Sequence, residues 1–285
     1  MKKILVLGSS GMLGHVATLR FQESGHEVFG LSKSRKFGNL SILLDISSIE
    51  KFNFFLDNNF FDVIVNCVAL LVVQSDKYKD LAVYLNAYIP HFLEMKYKDT
   101  NTKIIHVGTD GIFSGESAPY SENAMHDSGH FYGKSKYLGE INNAKDLTVR
   151  SAFWGPDLNR SSANLFNWIL NQNNTINGFT NQIFNGVSSL EFADFLDIAI
   201  RYDITGIFHL TAKKPISKCD FLLSVKKVFG LKNEIIPAKA QNIDRTLANG
   251  RADIPYATAD YAEMLTDCRK WIQDNRELYP HYSIT

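Results

Sequence analysis

Residues 3–14 read Lys3-Ile4-Leu5-Val6-Leu7-Gly8-Ser9-Ser10-Gly11-Met12-Leu13-Gly14, and this stretch decides the fold. A short, almost wholly apolar run is followed at once by three glycines and then by the helical pattern of residues 12–22. A run without alternation suits a strand buried on both faces, as in a parallel sheet. Between such a strand and a helix, Gly8 permits a tight turn, Gly11 lets the backbone approach a pyrophosphate, and Gly14 lets the helix pack closely on the strand. Ser9, Ser10, Met12 and Leu13 complete the cradle, whose free N–H groups and helix dipole attract phosphate. The spacing is GxxGxxG, one residue wider between the first two glycines than the usual dehydrogenase pattern. A lone glycine triplet often marks only a turn; the strand–turn–helix setting is what predicts a dinucleotide site.

Working outward, the same alternation recurs. Residues 27–31, 42–44, 63–68, 103–107 and 148–153 read as further short strands, and 49–58, 77–98 and 131–144 as helices between them. Ser24-Gly25 supplies a helix stop, and Ser47-Ser48 an N-cap with Glu50 in the following turn. The expected fold class is therefore α/β, a Rossmann-type doubly wound parallel sheet. After about residue 154 the pattern changes: 159–185 is rich in Asn, with a helix near 165–170, and 206–211 and 235–237 are short strands. The expectation is a dinucleotide-binding domain over 1–153 and a smaller substrate-binding lobe over 154–285, with a segment near 206–211 returning to the main sheet.

Composition narrows the function. The chain has 285 residues, with 30 Lys+Arg balanced by 30 Asp+Glu, so no net field recommends nucleic acid or an anionic membrane. The three cysteines, Cys67, Cys219 and Cys268, form neither a CxxC pair nor a His/Cys cluster, so neither a disulfide framework nor a metal site is expected. His126 and His130 stand four apart with no third ligand near in sequence. The apolar run 4–7 is too short for a signal-peptide core and no stretch reaches membrane-spanning length, so a soluble, cytoplasmic protein is expected.

Cofactor choice is written just past the second strand, where an acid would bind a ribose 2′-hydroxyl and cations would accept a 2′-phosphate. Here the residues are Ser32-Lys33-Ser34-Arg35-Lys36, which predicts NADP (NADPH) rather than NAD. The fifth strand runs into Gly108-Thr109-Asp110-Gly111, at the carboxyl end of a parallel strand where ligands gather. Tyr132 and Lys136, four apart on the next helix, share a face. A cation beside a phenol lowers its pKa, so the pair can exchange a proton with a substrate oxygen while hydride moves on or off a nicotinamide. Thr109 is placed to hydrogen-bond that oxygen. Read alone, Tyr-x-x-x-Lys is a solvated helix face and Thr109-Asp110 a loop cap; the combination raises both.

Together these residues resemble an extended short-chain dehydrogenase/reductase of the dTDP-4-dehydrorhamnose reductase-like, nucleotide-sugar branch. The resemblance rests on residues 8–14, Leu44-Asp45-Ile46, Val65-Asn66-Cys67-Val68-Ala69, Asn86-Ala87, 108–115, 132–140, Arg150-Ser151-Ala152-Phe153-Trp154-Gly155 and 185–190; Arg251-Ala-Asp-Ile-Pro255 is similar to a late Arg-Pro segment of the family. It implies that Asp45, with Ile46, contacts the adenine; that Cys67, Val68 and Ala69 line the cofactor; and that Lys136 also holds the nicotinamide ribose. It implies that Tyr132 is the general acid, acidified by Lys136, and that Thr109 orients the carbonyl. Asp110, Gly111, Phe153 and Trp154 would border the sugar, although Trp154 reads equally as core. Asn86 is either a packing residue or part of a proton relay beside the cofactor.

Two departures fall in the sugar pocket. The family commonly reads Thr-Asp-Tyr-Val-Phe-Asp-Gly where this chain has Thr109-Asp110-Gly111-Ile112-Phe113-Ser114-Gly115, which is expected to leave room for another substituent. The family's Thr-Ser-Trp is Ser151-Ala152-Phe153 here, with the tryptophan one place later. The expected function is an NADPH-dependent reductase of a 4-keto-deoxysugar nucleotide in surface polysaccharide or glycan synthesis. An epimerase or dehydratase with tightly held cofactor is the first alternative; Asp110-Gly111 lacks the Asp-Glu pair a dehydratase needs. A non-catalytic subunit of the same fold is the second. The resemblance also leaves open a homodimer through the helix at 77–98, which Pro90 interrupts.

Overall fold

The computed structural model describes residues 1–162, 164–254 and 256–283; Pro255, named above, lies outside the described residues. In chain order the first elements are β1 (Lys3–Leu7), α1 (Met12–Glu23), β2 (Glu27–Ser32), β3 (Leu40–Leu43), α2 (Ile49–Asp57), β4 (Val63–Asn66), α3 (Val72–Lys77) and α4 (Lys79–Val83). A π-helical turn (Tyr84–Tyr88), α5 (Ile89–Lys96), β5 (Lys103–Val107), a 3-10 turn (Asp110–Ile112), α6 (Phe131–Leu138) and β6 (Leu147–Arg150) follow. Then come β7 (Phe153–Trp154), α7 (Leu165–Leu170), β8 (Ile176–Phe179), β9 (Gln182–Phe184), β10 (Val187–Ser188), α8 (Ser189–Arg201) and β11 (Gly206–His209). The chain ends with β12 (Ile216–Ser217), α9 (Lys218–Phe229), β13 (Ile235–Ala238), β14 (Ile243–Asp244) and α10 (Tyr261–Asp274), followed by a short 3-10 turn.

The chain divides into two compact, interleaved units. The first takes 1–113, 125–150 and 193–208, and the second 114–124, 151–192 and 209–285. The first is built on a seven-stranded sheet in the order β11-β6-β5-β4-β1-β2-β3. From β6 to β3 every neighbouring pair is parallel, and helices flank the sheet as the unbroken apolar strands require. The strand order reverses between β1 and β4, so their carboxyl ends open the crevice where ligands bind in such sheets. Leu5, Phe52, Phe61, Ile64, Ile89, Leu93 and Ile104 are fully buried in one cluster. Each large apolar side chain contributes roughly 1.5–3 kcal/mol by leaving water.

Three expected elements change shape. The helix expected over 77–98 is a chain of short helices, α3, α4, the π turn and α5. Pro90 sits in the first turn of α5, directly after the π turn, and has no N–H to give to the helix running on from that turn. α6 stops at Leu138 rather than near 144. Gly139 caps it and lies so close to the π turn that a Cβ there would be 1.9 Å from the Asn86 carbonyl oxygen. The strand expected over 148–153 splits: β6 ends at Arg150, while Phe153–Trp154 pairs with β10 inside the second unit. That unit also pairs β13 with β8 and gathers β12, β9 and β14. Among the described residues, no helix is long and apolar enough to cross a membrane.

Candidate functional site

The glycine loop joins β1 to α1 at the crevice. Gly8 adopts φ +78°, a conformation that favours glycine, and lies against Cys67 and Val68. A Cβ on Gly14 would fall 2.1 Å from the Gly8 carbonyl oxygen, so only glycine lets α1 start this close to β1. Gly11 is exposed at the N-cap of α1, and no side chain caps that end. The open helix end and the glycines of the loop fit the pyrophosphate of a dinucleotide. Ser10 and Met12 are half-buried and Leu13 is buried. Ser9 is fully buried and packs against Gly30 of β2, with its hydroxyl unpartnered.

The residues after β2 divide. Lys33, Ser34, Arg35 and Lys36 are exposed, whereas Ser32 is buried and donates its hydroxyl proton to the Arg35 carbonyl. Lys33 pairs with Asp45 at 2.9 Å. That ammonium, with the Ser47 N–H and hydroxyl, holds the Asp45 carboxyl down at about 2. Asp45 is thus tied into the loop wall. Ile46 is buried, and its carbonyl accepts the Tyr84 hydroxyl at 2.8 Å. Cys67, Val68 and Ala69, just past β4, are half-buried.

Asn86 is fully buried in the π turn. Its Oδ1 accepts from Leu70 N–H at 2.7 Å, and its Nδ2 donates to the Leu70 carbonyl and to Ser135 Oγ. Of the two readings of Asn86, these contacts favour packing: it fastens the segment after β4 to α6.

At the end of β5, Thr109 caps the 3-10 turn, accepting from Gly111 N–H at 3.0 Å and donating to Asp110 Oδ1 at 3.2 Å. Thr109 Oγ1 also converges with the Tyr132 ring on Gly111, lying 3.3 Å from where a Cβ would stand there. A Cβ on Gly111 would lie 3.2 Å from the Tyr132 ring. Tyr132 therefore narrows the space beside Gly111 that the sequence reading left for a substrate substituent. Gly133 is equally constrained, since a Cβ there would be 2.1 Å from the Gly111 carbonyl oxygen; α6 can approach the turn only as glycine.

Lys136 is buried, and its amine faces β5: Nζ donates to the Val107 carbonyl at 2.7 Å and lies 3.0 Å from His106 Nε2. Burial draws the Lys136 ammonium down to about 8, against an opposing pull from Glu140. Burial pushes the Tyr132 phenol up to about 12, partly countered by Thr109. The expected acidification of Tyr132 by Lys136 is therefore corrected in this structure. Sharing a helix face did not decide where the amine points; acceptors on the neighbouring strand did.

Several residues of this region escaped the sequence reading. His106, fully buried, bridges Lys136 and Asn66, and burial holds its pKa well below the ordinary value. Glu140 and Arg150 form a buried bidentate pair, both bonds 2.7 Å, that fastens the segment after α6 to β6. The signal was available, since His106 and Asn66 both stand at carboxyl ends of parallel strands.

In the second unit, Phe153 is half-buried and packs edge-on to Phe192. Trp154 is 3 % exposed, surrounded by Phe166, Phe221 and Tyr261. Its indole is core material, which leaves Phe153 the more accessible of the two.

The family model for the RmlD substrate binding domain matches residues 1–277. A probable low-salt glycan biosynthesis reductase of Haloferax volcanii is 26 % identical over 260 residues, covering 86 % of this chain and 87 % of that protein. A spore coat polysaccharide biosynthesis protein of Bacillus subtilis is 28 % identical over 159 residues, covering 54 % of this chain and 53 % of that protein, about half its length. Among solved structures, a dTDP-4-dehydrorhamnose reductase of Bacillus anthracis in complex with NADP shares the fold. Its TM-score is 0.81 at 19 % identity, covering 96 % of this chain and 99 % of that one.

Proposed function

The chain belongs to the RmlD substrate binding domain family, and from that membership and the site's geometry we propose that it is an NADPH-dependent reductase of a 4-keto-deoxysugar nucleotide. The observation that carries the reading is the convergence of Thr109 Oγ1 and the Tyr132 ring on Gly111, just past the carboxyl end of β5 in the sheet that carries the glycine cradle. The names of the two relatives support a role in polysaccharide or glycan synthesis.

The bound nicotinamide supplies hydride to the sugar carbonyl carbon. Gly8, Gly11 and the open N-terminus of α1 hold the pyrophosphate, while Cys67, Val68 and Ala69 flank it. Arg35 and Lys36 favour a 2′-phosphate; Lys33 contributes less, because Asp45 offsets its charge. Tyr132 donates the proton that the carbonyl oxygen needs. A phenol raised to about 12 stays protonated at neutral pH, and proton transfer to a more basic alkoxide remains favourable. Thr109 orients that oxygen, and Asp110 and Gly111 border the sugar. Lys136 holds the nicotinamide ribose.

The test is NADPH oxidation with a panel of 4-keto-6-deoxy nucleotide sugars, with NADH run in parallel. Stoichiometric oxidation with at least one sugar supports the reading. Turnover without added NADPH, on protein purified with bound cofactor, would assign an epimerase instead. Cofactor binding without turnover on any of them would assign a non-catalytic subunit.

A further inference from the structure

Lys136 ends a buried hydrogen-bond chain whose direction is set by the backbone. Val68 N–H can only donate, and it meets Asn66 Oδ1 at 3.1 Å. The Asn66 carboxamide therefore presents its NH2 group to His106, 3.2 Å from Nδ1. Nδ1 must then accept, so a neutral imidazole carries its proton on Nε2. That nitrogen lies 3.0 Å from Lys136 Nζ. An N–H aimed at a lysine needs a lone pair to receive it; an amine has one and an ammonium does not.

We propose that His106 is a positioning residue that holds Lys136 as the neutral amine, and that Lys136 takes up a proton only when the chain Asn66–His106–Lys136 reverses. In the reversal Lys136 gains one proton from water, and His106 stays neutral while its proton moves from Nε2 to Nδ1. The Asn66 carboxamide turns over to present its oxygen to Nδ1–H, and the Val68 N–H loses its acceptor. The loss of that backbone bond, at a buried position, is what opposes protonation.

The surroundings agree. Lys136 is faced by His106 from β5, by Cys67 after β4 and by Glu140 past the end of α6, and His106 also feels His91 of α5. Glu140 is already paired with Arg150, and burial pushes the Cys67 thiol up to about 12. Neither supplies a free anion, and burial draws both Lys136 and His106 towards their neutral forms. The consequence for Tyr132 rests on its reading as proton donor: above the Lys136 titration at about 8 the neighbour is an amine, and the phenol keeps its proton. The chain itself does not depend on that reading.

Long-range proton–nitrogen NMR of histidine-labelled protein, without cofactor or substrate, reports the tautomer directly. The His106 signal is identified by its loss in His106→Gln. Expected is the Nε2–H tautomer at pH 9, converting to Nδ1–H as the pH falls through the Lys136 titration, with no imidazolium. An Nδ1–H tautomer throughout, or an Nε2–H signal indifferent to that titration, overturns the proposal. Lysine 13Cε titration supplies the second reading. Both His106→Gln, whose amide can offer an oxygen to Lys136, and Asn66→Asp, which fixes an acceptor against Nδ1, should raise the Lys136 pKa from about 8 towards its ordinary value. If the pKa is unchanged in both, His106 does not control Lys136. Failure of the reductase assay leaves these signals untouched, so the two readings fail separately.

Discussion

Tyr132 carries the sharpest residue-scale prediction. Positioned acid–base groups contribute typically about 10²–10⁴-fold to rate, so Tyr132→Phe should lower kcat by that order. It should leave NADPH affinity, measured by fluorescence titration, nearly unchanged; a variant with near-wild-type kcat would remove Tyr132 from the chemistry. Arg35 tests cofactor choice. Arg35→Asp should shift the ratio of kcat/KM for NADPH over NADH towards NADH, because a carboxylate repels a 2′-phosphate. His15 tests burial. It is fully buried on α1, bonded to the Gly11 carbonyl at 2.8 Å, and desolvation lowers its pKa to about 4. The unfolded chain binds this proton below about 6.5, whereas the folded one resists until about 4. Stability should therefore be full above pH 6.5 and fall through that window, by about 3 kcal/mol from this group. Urea unfolding at pH 7.5 and pH 4.5 measures it, and His15→Asn should reduce the slope, while His106 and His281 still contribute in the same direction.

At the scale of elements, close approach decides more than intrinsic propensity. α1 and α6 both begin where a Cβ would collide with a backbone oxygen at 2.1 Å, at Gly14 and Gly133. Gly14→Ala, favourable for an isolated helix, should here displace α1 from β1 and weaken NADPH binding at least tenfold. Unchanged affinity by calorimetry would show that the loop can move aside. The buried Glu140–Arg150 pair fixes the chain beyond α6 to the sheet. Glu140→Gln leaves the Arg150 charge uncompensated and should destabilise the protein by about 3–5 kcal/mol, read as a lower midpoint in urea. Gly139 and Glu140 explain why α6 is shorter than its periodicity suggested: they are committed to the π turn and to β6 before the helix can continue.

Across the whole molecule, the units are assembled from alternating segments, so no single cut separates them. A fragment ending at 153 would lack 193–208, including the buried Phe195, Leu196 and Phe208, and the neighbour of β6. It should fail to give a cooperative thermal transition, whereas the full chain should gain stability from NADPH, about 2.7 kcal/mol at a hundred times Kd. The parallel strands, the glycine loop and the candidates Thr109, Tyr132 and Lys136 were legible in the sequence. Each of these is written in local signals: a run without alternation, glycines at a turn, residues one helical turn apart. It took long-range packing to show that Lys136 faces His106, that Asn86 fastens two segments, that Trp154 lies in an aromatic core and that Tyr132 crowds Gly111. Such outcomes depend on which atoms distant segments bring together, since Asn66 and His106 are 40 residues apart and His106 and Lys136 are 30 apart. A buried polar group takes whatever partner that packing supplies, because leaving it without one costs more than bending a local preference.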